Sequence, residues 1–116
     1  MYLVINKSCH LTTGQIAAQT AHIVHLMVDE IVRSSYEMYP VPEYYLKYLT
    51  WCTNPIVIVK KATIDELSRL NTEPHIKHFY DDVYDKKTNQ WYNHLTVIGF
   101  YPGYAPEEHM NNFDLL

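Results

Sequence analysis

Gln15, Gln19 and His22 recur at i, i+4 and i+7, so one face of a helix would carry all three. Amides both donate and accept hydrogen bonds, and an imidazole can do either. Near a helix start, the unpaired N–H groups of the first turn add an attraction for a phosphate or a developing oxyanion. By spacing alone, the same residues also describe a solvated helix face with a capped end. A second group, Asp81-Asp82-Val83-Tyr84-Asp85-Lys86-Lys87-Thr88, follows an apolar run. Carboxylates at a strand end can orient or deprotonate water when a partner tunes them. An ordinary soluble turn has the same composition.

Other chemistries find less support. His22, His25 and Asp29 have spacings that a zinc site can use, but the set ends in a lone carboxylate and no second ligand cluster follows. These residues are therefore assigned structural roles, and no metal is expected. No Gly-x-Ser-x-Gly elbow, phosphate-binding loop or dinucleotide fingerprint is present. Cys9 and Cys52 lack CxxC spacing and read as ordinary thiols of a reducing, intracellular compartment.

The elements that must position these residues follow from patterning. Residues 2–6 (Tyr-Leu-Val-Ile-Asn) read as a short buried strand. Residues 13–33 form the strongest helix pattern, with Thr12 or Thr13 as its cap and Gly14 in its first turn. Pro40 and Pro42 break the chain before a second, aromatic helix over 43–51. The β-branched run Ile56-Val57-Ile58-Val59 predicts a strand buried on both faces. Thr63-x-x-Glu66 is a capping-box signature for a third helix. Residues 76–80 and 95–100 read as strands, residues 81–93 as a polar turn, and 106–110 as a short last helix. The order β-α-α-β-α-β-β-α predicts a single α/β domain over residues 1–116, with a four-stranded mixed sheet flanked by helices. The strands are expected near 2–6, 55–60, 76–81 and 94–100.

Composition limits the function classes. A hydrophobic content of 47% in 116 residues suits one domain with its own core. The apolar amino terminus ends at Asn6-Lys7, too early for a signal peptide, and no membrane span is expected because His22, His25 and Asp29 interrupt the longest apolar helix. The net charge of −4 argues against non-specific nucleic-acid binding but leaves room for a local basic patch. Lys60-Lys61 and Lys86-Lys87 are the paired basic residues, and the 11 tyrosines include candidates for stacking on bases.

Taken together, the segments resemble the archaeal/eukaryotic-type peptidyl-tRNA hydrolases. Gly14-Gln15-Ile16-Ala17-Ala18-Gln19-Thr20-Ala21-His22 is similar to the family's G-K-I-A-A-Q-x-x-H helix start. Thr96-Val97-Ile98-Gly99-Phe100-Tyr101-Pro102 is similar to its T-V-L-G-I-G-P strand. Pro55 to Lys60 and Asp65-Glu66-Leu67 stand where the family has K-V-V-L-K-V and E-E-L, and Phe113-Asp114-Leu115-Leu116 resembles its closing L-K-L-L.

The resemblance implies hydrolysis of the ester joining a peptide to the 3′-terminal ribose of tRNA, in the cytoplasm, with no cofactor. Gln19 and His22 match the motif's glutamine and histidine. The D-A-G-x-T turn has its counterpart in Asp82 and Thr88, with Asp81 and Asp85 as alternatives to Asp82. Thr96 matches a further threonine. The family's catalytic lysine falls on Gln15. By this reading Asp82, Thr88 and Gln15 are catalytic, while Gln19, His22, Thr96, Lys86 and Lys87 bind substrate. Gln15, Gln19, Asp82 and Thr88 are expected around one cleft, with Lys86, Lys87 and Lys7 forming a basic surface for tRNA beside it. The family's habit of pairing implies a homodimer. The missing lysine also admits an inactive relative that binds tRNA or a protein partner without cleaving.

Overall fold

The computed structural model describes residues 1–116. Its elements run β1 (Tyr2–Asn6), α1 (Thr13–Ser35), α2 (Glu43–Cys52), β2 (Ile58–Ala62), α3 (Ile64–Arg69), β3 (Ile76–Asp85), β4 (Gln90–Phe100), α4 (Glu107–Met110) and β5 (Asp114–Leu115). The strands form one mixed sheet in the order β3-β4-β1-β2-β5. Only β1 and β2 are parallel; the other neighbours are antiparallel.

The α/β class stands, but the sheet has five strands rather than four, and the order gains a terminal β. The extra strand is too short for a sequence pattern. Asp114 and Leu115 pair with Lys61 and Lys60, and the Leu116 N–H donates to the Val59 carbonyl at 3.1 Å.

The sheet separates two apolar layers. On one face, Ile23 and Met27 of α1 close over Leu3, Ile5 and Val97. On the other, Leu67, Leu70 and Met110 pack against Val4, Ala62, Leu95, Ile98 and Phe100. Alternation along β1 explains the division, since successive side chains of a strand point to opposite faces. Gly99 lets α1 lie close: a methyl group there would fall 2.5 Å from Met27 Sδ and 3.1 Å from Ile23 Cδ1.

Two boundaries move from their sequence positions. The apolar run at 56–59 does not begin a doubly buried strand. Ile56 and Val57 are 53% and 40% exposed, and pairing starts at Ile58. The Ile56 carbonyl instead accepts from the Met1 amino group and from Trp51 Nε1, each at 2.9 Å. The polar segment 81–93 is also largely strand. β3 and β4 run on to Asp85 and Gln90, leaving only residues 86–89 as the turn. Val83, Tyr84, Trp91 and Tyr92 favour extended backbone, and Asp85 Oδ1 accepts the Lys87 N–H at 2.9 Å to fold the turn.

Candidate active site

The site begins with the start of α1. Thr12 is its cap: Thr12 Oγ1 accepts the Gln15 N–H at 3.2 Å, and Gln15 Oε1 accepts the Thr12 N–H at 2.8 Å. This reciprocal capping box satisfies two donors that a helix start leaves unpaired. The Thr12-x-x-Gln15 spacing carried that signal in the sequence. Gln15 is exposed, with its carbonyl oxygen committed to the cap and its Nε2 available as a donor. Nothing lies within 4 Å of where a side chain on Gly14 would begin, so the surface over this first turn is open.

One turn further, Gln19 is buried. Its Nε2 donates to Asp81 Oδ2 at 2.7 Å, and its Oε1 accepts from Thr96 Oγ1 at 2.8 Å. The amide can sit only this way round, because a carboxylate accepts and does not donate when ionised. Asp81 Oδ1 also accepts the Asp82 N–H at 2.8 Å. Asp81 is half-buried, with both carboxylate oxygens accepting hydrogen bonds from the protein.

A β-bulge brings Thr96 to Gln19. Phe79 pairs with Val97 but the next residue, Tyr80, pairs with Leu95, so Thr96 is the extra residue of β4. The insertion turns both Thr96 and Val97 toward α1. The Thr96 hydroxyl lies 3.2 Å from the Phe79 carbonyl as well as 2.8 Å from Gln19. Thr96 is fully buried, and no buried side-chain polar atom is left without a partner.

The other expected residues divide sharply. His22 lies on the same helix, its ring edge-on to Phe79 with centroids 5.7 Å apart. Asp82 does not reach Gln19. Strand alternation turns it to the opposite face from Asp81, where Asn93 Nδ2 donates to its Oδ1 at 3.2 Å. Thr88, Lys86 and Lys87 are exposed in the β3–β4 turn. At ~3.4 Å per residue, the rest of β3 carries that turn well over 10 Å from Asp81, so Thr88 does not join the cluster. Both expectations treated residues 81–93 as a compact turn, and a strand separates what a turn would gather. Lys7 lies beside Glu66 and helps to hold that carboxyl below its ordinary range, although hydrogen bonds from Thr63 do most of this.

Cys9 and the histidine–aspartate set of α1 have ordinary contacts. Burial pushes the Cys9 thiol up, and its Sγ lies 3.8 Å from the Leu95 carbonyl, an arrangement unsuited to a thiolate nucleophile. Asp29 is paired with Arg33 Nε at 2.9 Å, and no cluster of three or more His, Cys, Asp or Glu side chains forms.

The arrangement therefore places a carboxylate, held by an amide and a bulged threonine, one helical turn beyond the open start of α1. Such a site can orient water and stabilise a developing oxyanion. The family model of peptidyl-tRNA hydrolase PTH2 matches residues 1–113. Neither the curated proteins nor the solved structures gave a match.

Proposed function

We infer the roles of individual residues from the premise that this chain belongs to the peptidyl-tRNA hydrolase PTH2 family, whose members hydrolyse the ester bond of peptidyl-tRNA. The observation that carries the reading is the chain of hydrogen bonds from Thr96 through Gln19 to Asp81. It joins the two segments most similar to the family, and it supports Asp81 as the working carboxylate.

Asp81 orients a water molecule for attack on the ester carbonyl and accepts its proton. Gln19 keeps the carboxylate in one rotamer, and Thr96 keeps Gln19 in place. Gln15 Nε2 and the free N–H groups of the first turn of α1 face the negative charge that develops on the carbonyl oxygen. The peptide leaves as a carboxylic acid, and the 3′-oxygen of the ribose takes up a proton. His22 braces α1 against Phe79. Lys86 and Lys87 meet the phosphate backbone of tRNA, compensating locally for the acidic total.

No helix is long and apolar enough to cross a membrane, and a reaction on peptidyl-tRNA belongs with translation in the cytoplasm. The homodimer expected from the family has an apolar groove available for it, of about 580 Å³, lined by Val24, Val28, Val57 and Val59.

The test is single-turnover release of an N-blocked amino acid from tRNA. Asp81→Asn is expected to lose at least about 10²-fold in rate, the scale of one essential transition-state interaction. Asp82→Asn is expected to stay within a few-fold of the native chain. Equal losses in both would overturn the assignment of Asp81 over Asp82.

A further inference from the structure

β3 and β4 leave the sheet together. β1 pairs with β4 only between Val97 and Phe100, and Asn6 still reaches the Leu95 carbonyl, so residues 90–94 of β4 have β3 as their sole strand partner. The resulting two-stranded arm is roughly 20 Å long, in a molecule whose extents are 52 × 28 × 25 Å. Its base is the Asp81–Gln19 contact.

The two faces of this arm differ. Asp81 and Val83 share one face with their cross-strand partners His94 and Tyr92. The other face carries Tyr84 opposite Trp91, with ring centroids 5.4 Å apart. A lone two-stranded ribbon is marginal in water, and cross-strand aromatic pairs strengthen it. The Tyr84–Trp91 pair thus has a structural role. Tyr92 and His94 lie 6.1 Å apart on the other face and are both exposed. They are also the rings on the arm that share a face with Asp81.

We propose that Tyr92 and His94 are the seat for the unpaired 3′-terminal nucleotides of tRNA. This rests on the reading of Asp81 and Gln19 as the hydrolytic site. The scissile ester is carried by the terminal ribose, so the terminal base must lie within about one nucleotide of Asp81. His94 stands directly across the ladder from Asp81, and Tyr92 is the next side chain outward on that face. Stacking on such rings tolerates any base, as a general recycling activity requires. Beyond them the turn presents Lys86 and Lys87, placed to meet phosphates farther up the strand.

The two faces supply both test and control. Tyr92→Val and Trp91→Val each remove a ring while retaining a residue that favours strands. Affinity for deacylated tRNA is measured for both, together with KM and kcat on N-blocked aminoacyl-tRNA. Tyr92→Val is expected to weaken binding and raise KM by about 5-fold or more, the effect of losing one stacked base. Tyr92→Phe should restore both, and kcat should change little. Trp91→Val should bind within about twofold of the native chain. A tRNA shortened by its 3′-terminal nucleotides should bind the native chain and Tyr92→Val equally. Unchanged affinity in both Tyr92→Val and His94→Val would overturn the proposal, as would a larger loss in Trp91→Val than in Tyr92→Val. Failure of the catalytic reading would look different: Asp81→Asn would turn over normally while the binding differences stood.

Discussion

Gln19 and Asp81 are 62 positions apart in the chain and meet at 2.7 Å through an amide N–H and a carboxylate oxygen. The same amide accepts from Thr96 at 2.8 Å, so one buried side chain ties a helix to both strands of the β3–β4 pair. The contact leaves Asp81 little freedom to swing away from α1. Positioning of this kind is costly to lose, because small displacements of a catalytic group cost large factors in rate.

Gln19→Leu is therefore expected to lower the single-turnover rate by about 10²-fold. Thr96→Val acts one step further away. It leaves Gln19 Oε1 buried without its donor, which should cost ~1–3 kcal/mol of stability, and its rate loss should be smaller. Thr96→Ser restores the hydroxyl and should recover most of both. Urea denaturation and single-turnover release on the three variants check the order.

Gly99→Ala tests how closely α1 must lie on the sheet. The new methyl would meet Met27 Sδ, Ile23 Cδ1 and Leu3 Cδ2 inside ordinary contact distance. All three belong to buried residues. Overpacking of this kind costs typically ~1–3 kcal/mol, and relief by lifting α1 would loosen Gln19 from Asp81. Lowered stability together with reduced turnover is expected. Met27→Ala in the same chain makes room and should recover part of the turnover, although it leaves its own stability cost.

The α/β class and the α3 cap were legible because they depend on local spacing, and Thr63-x-x-Glu66 forms its capping box. At α1 the choice between Thr12 and Thr13 falls to Thr12, whose box with Gln15 the sequence reading did not include. The motif resemblance singled out Gln19 and Thr96, whose side chains meet at 2.8 Å. That Gln19 meets Asp81 rather than Asp82 was not legible, since it depends on strand parity in a segment whose polar residues hide its alternation. Nor could spacing reveal the bulge at Thr96, which exists only in the register between two strands. β5 was invisible for a related reason: two residues become a strand because Lys60 and Lys61 offer an edge, not through their own preference.

Replacing Lys86 and Lys87 together with alanine should reduce the salt dependence of tRNA binding. If each meets one phosphate, the slope of log K against log salt falls in magnitude by roughly 1.5. Affinity should drop most at low salt. Parallel slopes for the native and double-alanine chains would place the phosphate contacts elsewhere.

The cap of α3 has a pH signature. Thr63 donates to Glu66 Oε1 from both its N–H and its hydroxyl, each at 3.0 Å, and these bonds hold the Glu66 carboxyl below its ordinary value of 4.5. A depressed folded-state value means that this stabilisation is present above the ordinary value and lost as pH falls through the folded one. Thr63→Ala keeps the backbone N–H bond and removes the hydroxyl, so it should cost about 0.5–2 kcal/mol at neutral pH and shrink, without abolishing, the stability lost as pH falls below the ordinary carboxyl value. Denaturant titrations at neutral pH and at a series of acidic pH values, native against variant, measure both effects.

Gln15 decides how the chain manages without a cation at the start of α1. A neutral amide offers a donor but no charge, and a charge-assisted hydrogen bond is roughly twice as strong as a neutral one. Gln15→Lys should therefore raise the single-turnover rate, by about 10-fold or less than the 10²–10³ attached to losing a whole donor. Gln15→Met removes the donor and should lower the rate. Both substitutions abolish the side-chain half of the capping box, because neither lysine nor methionine can accept the Thr12 N–H that Gln15 Oε1 now accepts at 2.8 Å. Their stabilities should thus fall together, by roughly 0.5–1 kcal/mol, while their activities move in opposite directions. That divergence separates a catalytic role from a capping role. Equal rates for the lysine, glutamine and methionine forms would confine Gln15 to the cap and leave the backbone N–H groups of the first turn as the sole donors to the oxyanion.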